Sequence, residues 1–124
     1  PLLEAIDARG LPRAVATSSP AAYAPVALRE VGAAEGFAAI ITGDTVARGK
    51  PAPDIYLAAA AALGLSPAVC LALEDSPNGV RAAKAAGMRC IAVPNALSAV
   101  LDLSAADAVL PSLADVAARL DEWL

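Results

Sequence analysis

Short apolar runs alternate with longer alanine-rich stretches along this chain, and glycine or proline marks most of the joints. The runs cover residues 13–17, 39–42, 69–73, 89–93 and 108–110, each only three to five residues long. Strands separated by helix-length segments build a parallel sheet, because a parallel connection must travel back along a face of the sheet before the next strand starts. The spacing predicts helices over residues 1–9, 20–31, 54–63 and 78–86, and a last one that Ser112 caps and that runs toward Trp123. Ser19 before Pro20 reads as an N-cap with proline at the first helical position. Gly32, Gly64 and Gly87 follow three of these helices, where a left-handed C-terminal residue is cheap only for glycine. The fold class is therefore α/β, in one domain, with no internal repeat or low-complexity linker.

Composition narrows the partners. At 124 residues the chain is one domain at most, able to bury roughly 65% of its unfolded surface. Its apolar fraction of 58% is dominated by alanine, which favours helices laid close on a sheet. The net charge of −4 and the lack of any basic run argue against nucleic acid and anionic membranes as partners. No apolar stretch reaches the roughly 20 residues of a membrane span, and no signal-peptide pattern is present. Cys70 and Cys90 fall in apolar runs and read as reduced, buried thiols, so a cytoplasmic location is expected. Histidine is absent, leaving carboxylates, hydroxyls and lysine to carry any chemistry.

Polar residues gather at three predicted strand or helix boundaries. Thr17-Ser18-Ser19 closes the 13–17 run, offering hydroxyls and free backbone N–H groups suited to an anion, although such residues also serve as plain caps. Gly49-Lys50-Pro51-Ala52-Pro53 fixes the path of a loop and limits where the Lys50 ammonium can go. A held ammonium can neutralise an anionic nucleophile and a transferring phosphoryl group, whereas an unheld one is simply solvated. Asp54 reads as the cap of the helix that follows. Glu74-Asp75 ends the 69–73 run just before Ser76-Pro77. Capping explains Asp75 or Ser76 but not two adjacent carboxylates, which repel unless a cation or hydrogen bonds compensate. Mg²⁺, which prefers one or two carboxylates plus substrate phosphates, suits that pair.

Taken in order, residues 15–19, residues 49–56 and residues 73–80 (Leu-Glu-Asp-Ser-Pro-Asn-Gly-Val) resemble the second, third and fourth motifs of the haloacid dehalogenase-like hydrolases. The likeness is to their phosphatase and beta-phosphoglucomutase branch and extends through residues 85–88 and 106–110. It implies a three-layer Rossmann-like sheet with helices on both faces. It further implies that Thr17 and the Ser18 N–H hold a phosphoryl group and that Lys50 bridges phosphoryl oxygens and nucleophile. Glu74 and Asp75 would hold Mg²⁺, the substrate would be a small phosphorylated metabolite, and the reaction would pass through a phospho-aspartate.

One part of the pattern is missing. No Asp-x-Asp triplet occurs in the sequence, so the family's nucleophile and its acid/base partner are absent, as is its helical cap. The strand that carries them is central in the family, between the strands ending at Thr17 and Leu73. Residues 1–124 are thus expected to be the C-terminal portion of a core domain, inactive alone, with about 80 to 100 further residues upstream. Two unpaired strand edges should flank the gap. The missing segment would fill it, or a homodimer partner would close a rearranged sheet. A sugar-phosphate mutase and a non-catalytic phosphate- or metal-binding domain are the alternatives.

Overall fold

The computed structural model describes residues 2–17, 36–95, 98 and 101–123. Ser18, Ser19 and the 20–31 helix, with Gly32 after it, lie outside the described residues. The described elements are α1 (Leu2–Ala8), β1 (Ala14–Thr17), β2 (Ala39–Thr42), α2 (Asp54–Leu63), β3 (Leu71–Glu74), α3 (Pro77–Ala85), β4 (Arg89–Ala92), β5 (Ala108–Val109) and α4 (Leu113–Ala118). Short 3₁₀ turns occupy Gly43–Thr45, Pro67–Val69 and Leu120–Trp123.

Every strand pairing is parallel. β1 pairs with β2, starting at Ala14 opposite Ala39. β3 pairs with β4, Leu71 opposite Arg89, and β4 with β5, Ile91 opposite Ala108. Among the described residues these form two separate sheets, in the orders β1-β2 and β3-β4-β5. The expected break between the strands ending at Thr17 and Leu73 is therefore present, with an apolar cavity of about 460 Å³ along it. Ala14, Val15 and Ala16 line one side of that cavity and Leu71, Ala72 and Leu73 the other.

Successive side chains on a strand point to opposite faces, and that alternation sorts the core into two layers. Ala72, Cys90 and Ala92 pack with Ile55, Tyr56, Val80 and Ala83 of α2 and α3. Leu71, Leu73 and Ile91 face the other way, onto Leu110, Val116, Leu2 and Trp123. Helices thus cover both faces, the three-layer arrangement expected. α2 also packs on β1 and β2, so it spans the break and joins the two sheets on one face. Alanine makes this possible: Ala59 and Ala60 are buried, and small side chains let the helix axis lie close to the strands.

Three sequence expectations shift. Val69 is 64% exposed, outside the strand, because Ser66 caps a 3₁₀ turn opened by Pro67 and delays β3 to Leu71. Cys70 is consequently only half-buried, while Cys90 is fully buried; both are free thiols. Burial pushes the Cys90 thiol up to about 12, so it packs as an apolar side chain. Asp54 does not cap α2. Pro53 occupies the cap position without a side-chain bond, and Asp54 pairs with Arg48 at 2.8 Å.

Asp107 ties the β4–β5 side together. Its carboxylate accepts from Lys84 Nζ at 2.9 Å and from the buried Cys90 N–H at 2.7 Å. The Lys84 hydrogen bond, then the Cys90 N–H, hold its pKa below the ordinary carboxylate value. A depressed carboxylate pKa contributes stability above the unfolded value, lost as pH falls through the folded one. Asp107→Ala is expected to cost about 1–2 kcal/mol near neutral pH, chiefly through the unsatisfied Cys90 N–H. Denaturant unfolding should show part of that difference shrinking in acid, below the ordinary carboxylate range. A gap between variant and parent that widens in acid would refute the assignment.

Candidate active site

Thr17 ends β1, Glu74 ends β3, and Asp75 follows it, so all three sit at the carboxyl ends of parallel strands. Ligands bind at that edge of an open α/β sheet. A cavity of about 780 Å³ opens there, lined by Thr17, Lys50, Glu74, Asp75, Asn78 and Asn95 among others. Residues 17, 50, 74 and 75, far apart in sequence, are brought to one cavity; Ser18 lies outside the described residues.

Lys50 reaches the site from the loop before α2. A turn closed by the Ala52 N–H on the Gly49 carbonyl (3.0 Å) holds that loop. From there the ammonium donates to Glu74 Oε2 at 2.5 Å and to the Ala16 carbonyl at 3.2 Å. One side chain thus bridges the carboxyl ends of β1 and β3 across the break. The side chains of Lys50 and Glu74 are 12% and 7% exposed, so this pair is largely shielded from water. Removing either partner would leave a charge with no counter-ion to offset its desolvation.

Two residues missed by the sequence reading complete the setting of Glu74. The Tyr56 hydroxyl also donates to Glu74 Oε2, and the Lys50 ammonium lies 5.3 Å from the Tyr56 ring centroid. Burial, followed by the adjacent Glu74 charge, raises the Tyr56 phenol above its usual pKa, keeping it a donor. Its signal was an aromatic with a polar handle on the buried face of α2. Tyr56→Phe is expected to lower unfolding free energy by about 1.5–3 kcal/mol, the range for a hydrogen bond to a charged group. Urea denaturation measures this, and an unchanged midpoint would refute it.

Gly79 is the other. A Cβ built on this glycine would overlap the Glu74 carboxylate, so only glycine leaves the cradle that group occupies. A buried glycine in the first turn of an otherwise alanine-rich helix was the available clue.

Ser76 alone caps α3, its hydroxyl accepting from the Gly79 N–H at 3.1 Å. Capping therefore needs neither carboxylate. Asp75 is exposed and accepts from Asn95 Nδ2 at 3.0 Å through Oδ2. Glu74 is neutralised by Lys50, whereas Asp75 has no ion pair among the described residues. The pair is thus electrostatically unequal. Two hard carboxylates at a strand end, one in a tailored cradle and one keeping its full charge, fit a Mg²⁺ ion. They make up only part of a coordination shell: among the described residues no three acidic, Cys or His groups come together.

A parallel α/β sheet with hydroxyl, lysine and acid pair at its strand ends defines the Rossmann-like class. The chain belongs to the haloacid dehalogenase-like hydrolases, whose family profile matches residues 1–87. It is 38% identical over 115 residues to validoxylamine A 7'-phosphate phosphatase of Streptomyces hygroscopicus subsp. limoneus, covering 93% of this chain and 54% of that protein. It is 38% identical over 111 residues to beta-phosphoglucomutase of Bacillus subtilis, covering 88% and 47%. The crystal structure of CbbY from Rhodobacter sphaeroides in complex with phosphate superposes with a TM-score of 0.86 at 40% identity, covering 93% of this chain and 52% of that one. The chain spans about half the length of these relatives. No helix among the described residues is long and apolar enough to cross a membrane.

Proposed function

We propose that the full-length protein containing this chain is a Mg²⁺-dependent phosphatase for a small phosphorylated metabolite, working through a phospho-aspartate. One observation carries this reading. Lys50 is fixed at the carboxyl ends of both β1 and β3, beside Thr17 and the acid pair, where an apolar cavity separates the two strands. A strand entering the apolar cavity between β1 and β3 would run parallel to both, and its carboxyl end would emerge between Thr17 and Glu74. A carboxylate delivered there meets the Lys50 ammonium at once.

That carboxylate attacks phosphorus and the bond to the ester oxygen breaks. The departing alkoxide takes a proton from an acid, which the incoming segment must also supply. Water then attacks phosphorus of the acyl phosphate, freeing inorganic phosphate and restoring the carboxylate. Lys50 offsets charge on the nucleophile and on the equatorial phosphoryl oxygens, while the Thr17 hydroxyl and the Ser18 N–H donate to those oxygens. When bound, Mg²⁺ supplies further neutralisation of phosphoryl charge. Glu74 and Asp75 would hold it, with the incoming segment completing the shell.

Residues 1–124 are, on this reading, the C-terminal part of the core domain and inactive by themselves. The test uses p-nitrophenyl phosphate with the full-length protein and with the 124-residue chain. Mg²⁺-dependent turnover and a trapped acyl phosphate are expected only for the former. Robust turnover by residues 1–124 with the same trapped intermediate would sink the proposal.

The relatives include a beta-phosphoglucomutase, which supports a sugar-phosphate mutase as the second reading. Bisphosphate-dependent isomerisation by the full-length protein, in place of net hydrolysis, would favour it.

A further inference from the structure

We propose that Asn95 is a positioning residue for Asp75, holding its carboxylate toward a divalent cation, with Ser98 as its anchor. This rests on the metal-dependent reading above. Backbone pairing brings the two residues together. Val93 N–H donates to the Glu74 carbonyl at 2.7 Å, continuing the β3–β4 ladder beyond its last strand pair. Pro94 then ends the ladder, and Asn95 leaves the sheet beside Asp75.

The orientation of the Asn95 amide follows from its partners. Its backbone N–H donates to Ser98 Oγ at 2.9 Å, and the Ser98 N–H donates back to Asn95 Oδ1 at 2.8 Å. Ser98 is only 5% exposed, so water competes poorly for this reciprocal pair. With Oδ1 accepting from Ser98, the amide must present Nδ2 to Asp75, and it donates to Oδ2 at 3.0 Å. The amide cannot flip without breaking both bonds.

The donor's neutrality matters. A lysine or arginine in the same place would hold Asp75 equally well but would repel the cation. An amide fixes one carboxylate oxygen and leaves the full negative charge, with Oδ1 turned to other partners. Asp75 is exposed and would otherwise sample several rotamers, each of which must be given up on binding. Glu74 is held by a charged donor, Lys50, and Asp75 by an uncharged one. The cation-attracting charge of the pair therefore concentrates on Asp75.

Partners that orient a metal-binding carboxylate typically change metal affinity by about 10- to 100-fold when removed. Asn95 is exposed, so the low end applies: Asn95→Ala is expected to weaken Mg²⁺ binding by about tenfold. The measurement is titration calorimetry of Mg²⁺ alone into the full-length protein. The KM for p-nitrophenyl phosphate at saturating Mg²⁺ should stay near the parent's. Ser98→Ala supplies the structural control. It removes the acceptor of the Asn95 N–H but leaves the Ser98 N–H bond to Oδ1 and the Nδ2 bond to Asp75, so its Mg²⁺ affinity should fall less than that of Asn95→Ala. Parent-like Mg²⁺ affinity in Asn95→Ala overturns the proposal, as does a Ser98→Ala variant that binds Mg²⁺ just as weakly. A parent protein that takes up no Mg²⁺ would remove the metal-dependent reading itself, and this inference with it.

Discussion

Lys50→Met in the full-length protein is expected to lower kcat/KM on p-nitrophenyl phosphate by about a hundred- to a thousandfold, the loss seen when one preorganised charge-stabilising donor is removed. The lysine has a second role that must be separated from the first. Its ammonium is the only cation paired with the buried Glu74 carboxylate among the described residues. Breaking a buried ion pair from one side costs about 3–5 kcal/mol, and the Tyr56 hydroxyl offsets only part of that. The single variant should therefore unfold at lower urea as well as turn over slowly. Lys50→Met combined with Glu74→Gln removes the orphaned charge and should recover much of the stability. Its activity should stay low. Recovery of turnover along with stability would remove both Lys50 and the proposed metal ligand Glu74 from the chemistry.

Gly79→Ala is the second large effect, and here two forces oppose each other. Alanine is favoured over glycine in a helix by about 1 kcal/mol, which predicts a small gain in stability. The added Cβ, however, occupies the space of the Glu74 carboxylate. Glu74 cannot swing aside freely, because Lys50 and Tyr56 both hold its Oε2. Overpacking of this kind costs about 1–3 kcal/mol, so steric strain should outweigh propensity and lower the unfolding midpoint. Displacing Glu74 also drags Lys50 from its place across the sheet break. A shift of about 1 Å in such a group can cost about a hundredfold in rate. Steady-state kinetics and urea unfolding of the same variant decide the matter. A more stable and fully active Gly79→Ala would show that the carboxylate moves without consequence.

A third expectation is simpler. Asp75→Ala should abolish Mg²⁺-dependent turnover by the full-length protein with little loss of stability, because Ser76 alone caps α3 and Asp75 is exposed. Unchanged turnover would take Asp75 out of the metal site.

Much of this architecture was legible in the residue order. Short apolar runs, alanine-rich spacers and terminal glycines are local signals, and local backbone preference sets where helices stop. Gly64 and Gly87 do adopt the left-handed conformation at the predicted helix ends, with φ of 69° and 87°. α2 was placed to the residue. The boundaries that moved did so for reasons of turn chemistry: Pro67 after Ser66 diverted Val69 from the strand, and Arg48 drew Asp54 away from capping. The break in the sheet among the described residues was also expected, since no Asp-x-Asp triplet closes any of the apolar runs.

Residue order alone carried the α/β class, the family resemblance and four polar residues that line one cavity: Thr17, Lys50, Glu74 and Asp75. Each is marked by chain-local features such as a strand end, a glycine-proline loop or adjacent carboxylates. Packing in three dimensions set how their contacts divide. The partners of Glu74 come from 24 and 18 residues away, and that of Asp75 from 20. Whether a carboxylate is neutralised or left with its charge depends on which donors the packed strands and helices bring within about 3 Å, a distance no spacing along the chain encodes. Packing therefore turned two apparently equivalent acids into a buried partner for Lys50 and an exposed, amide-held carboxylate.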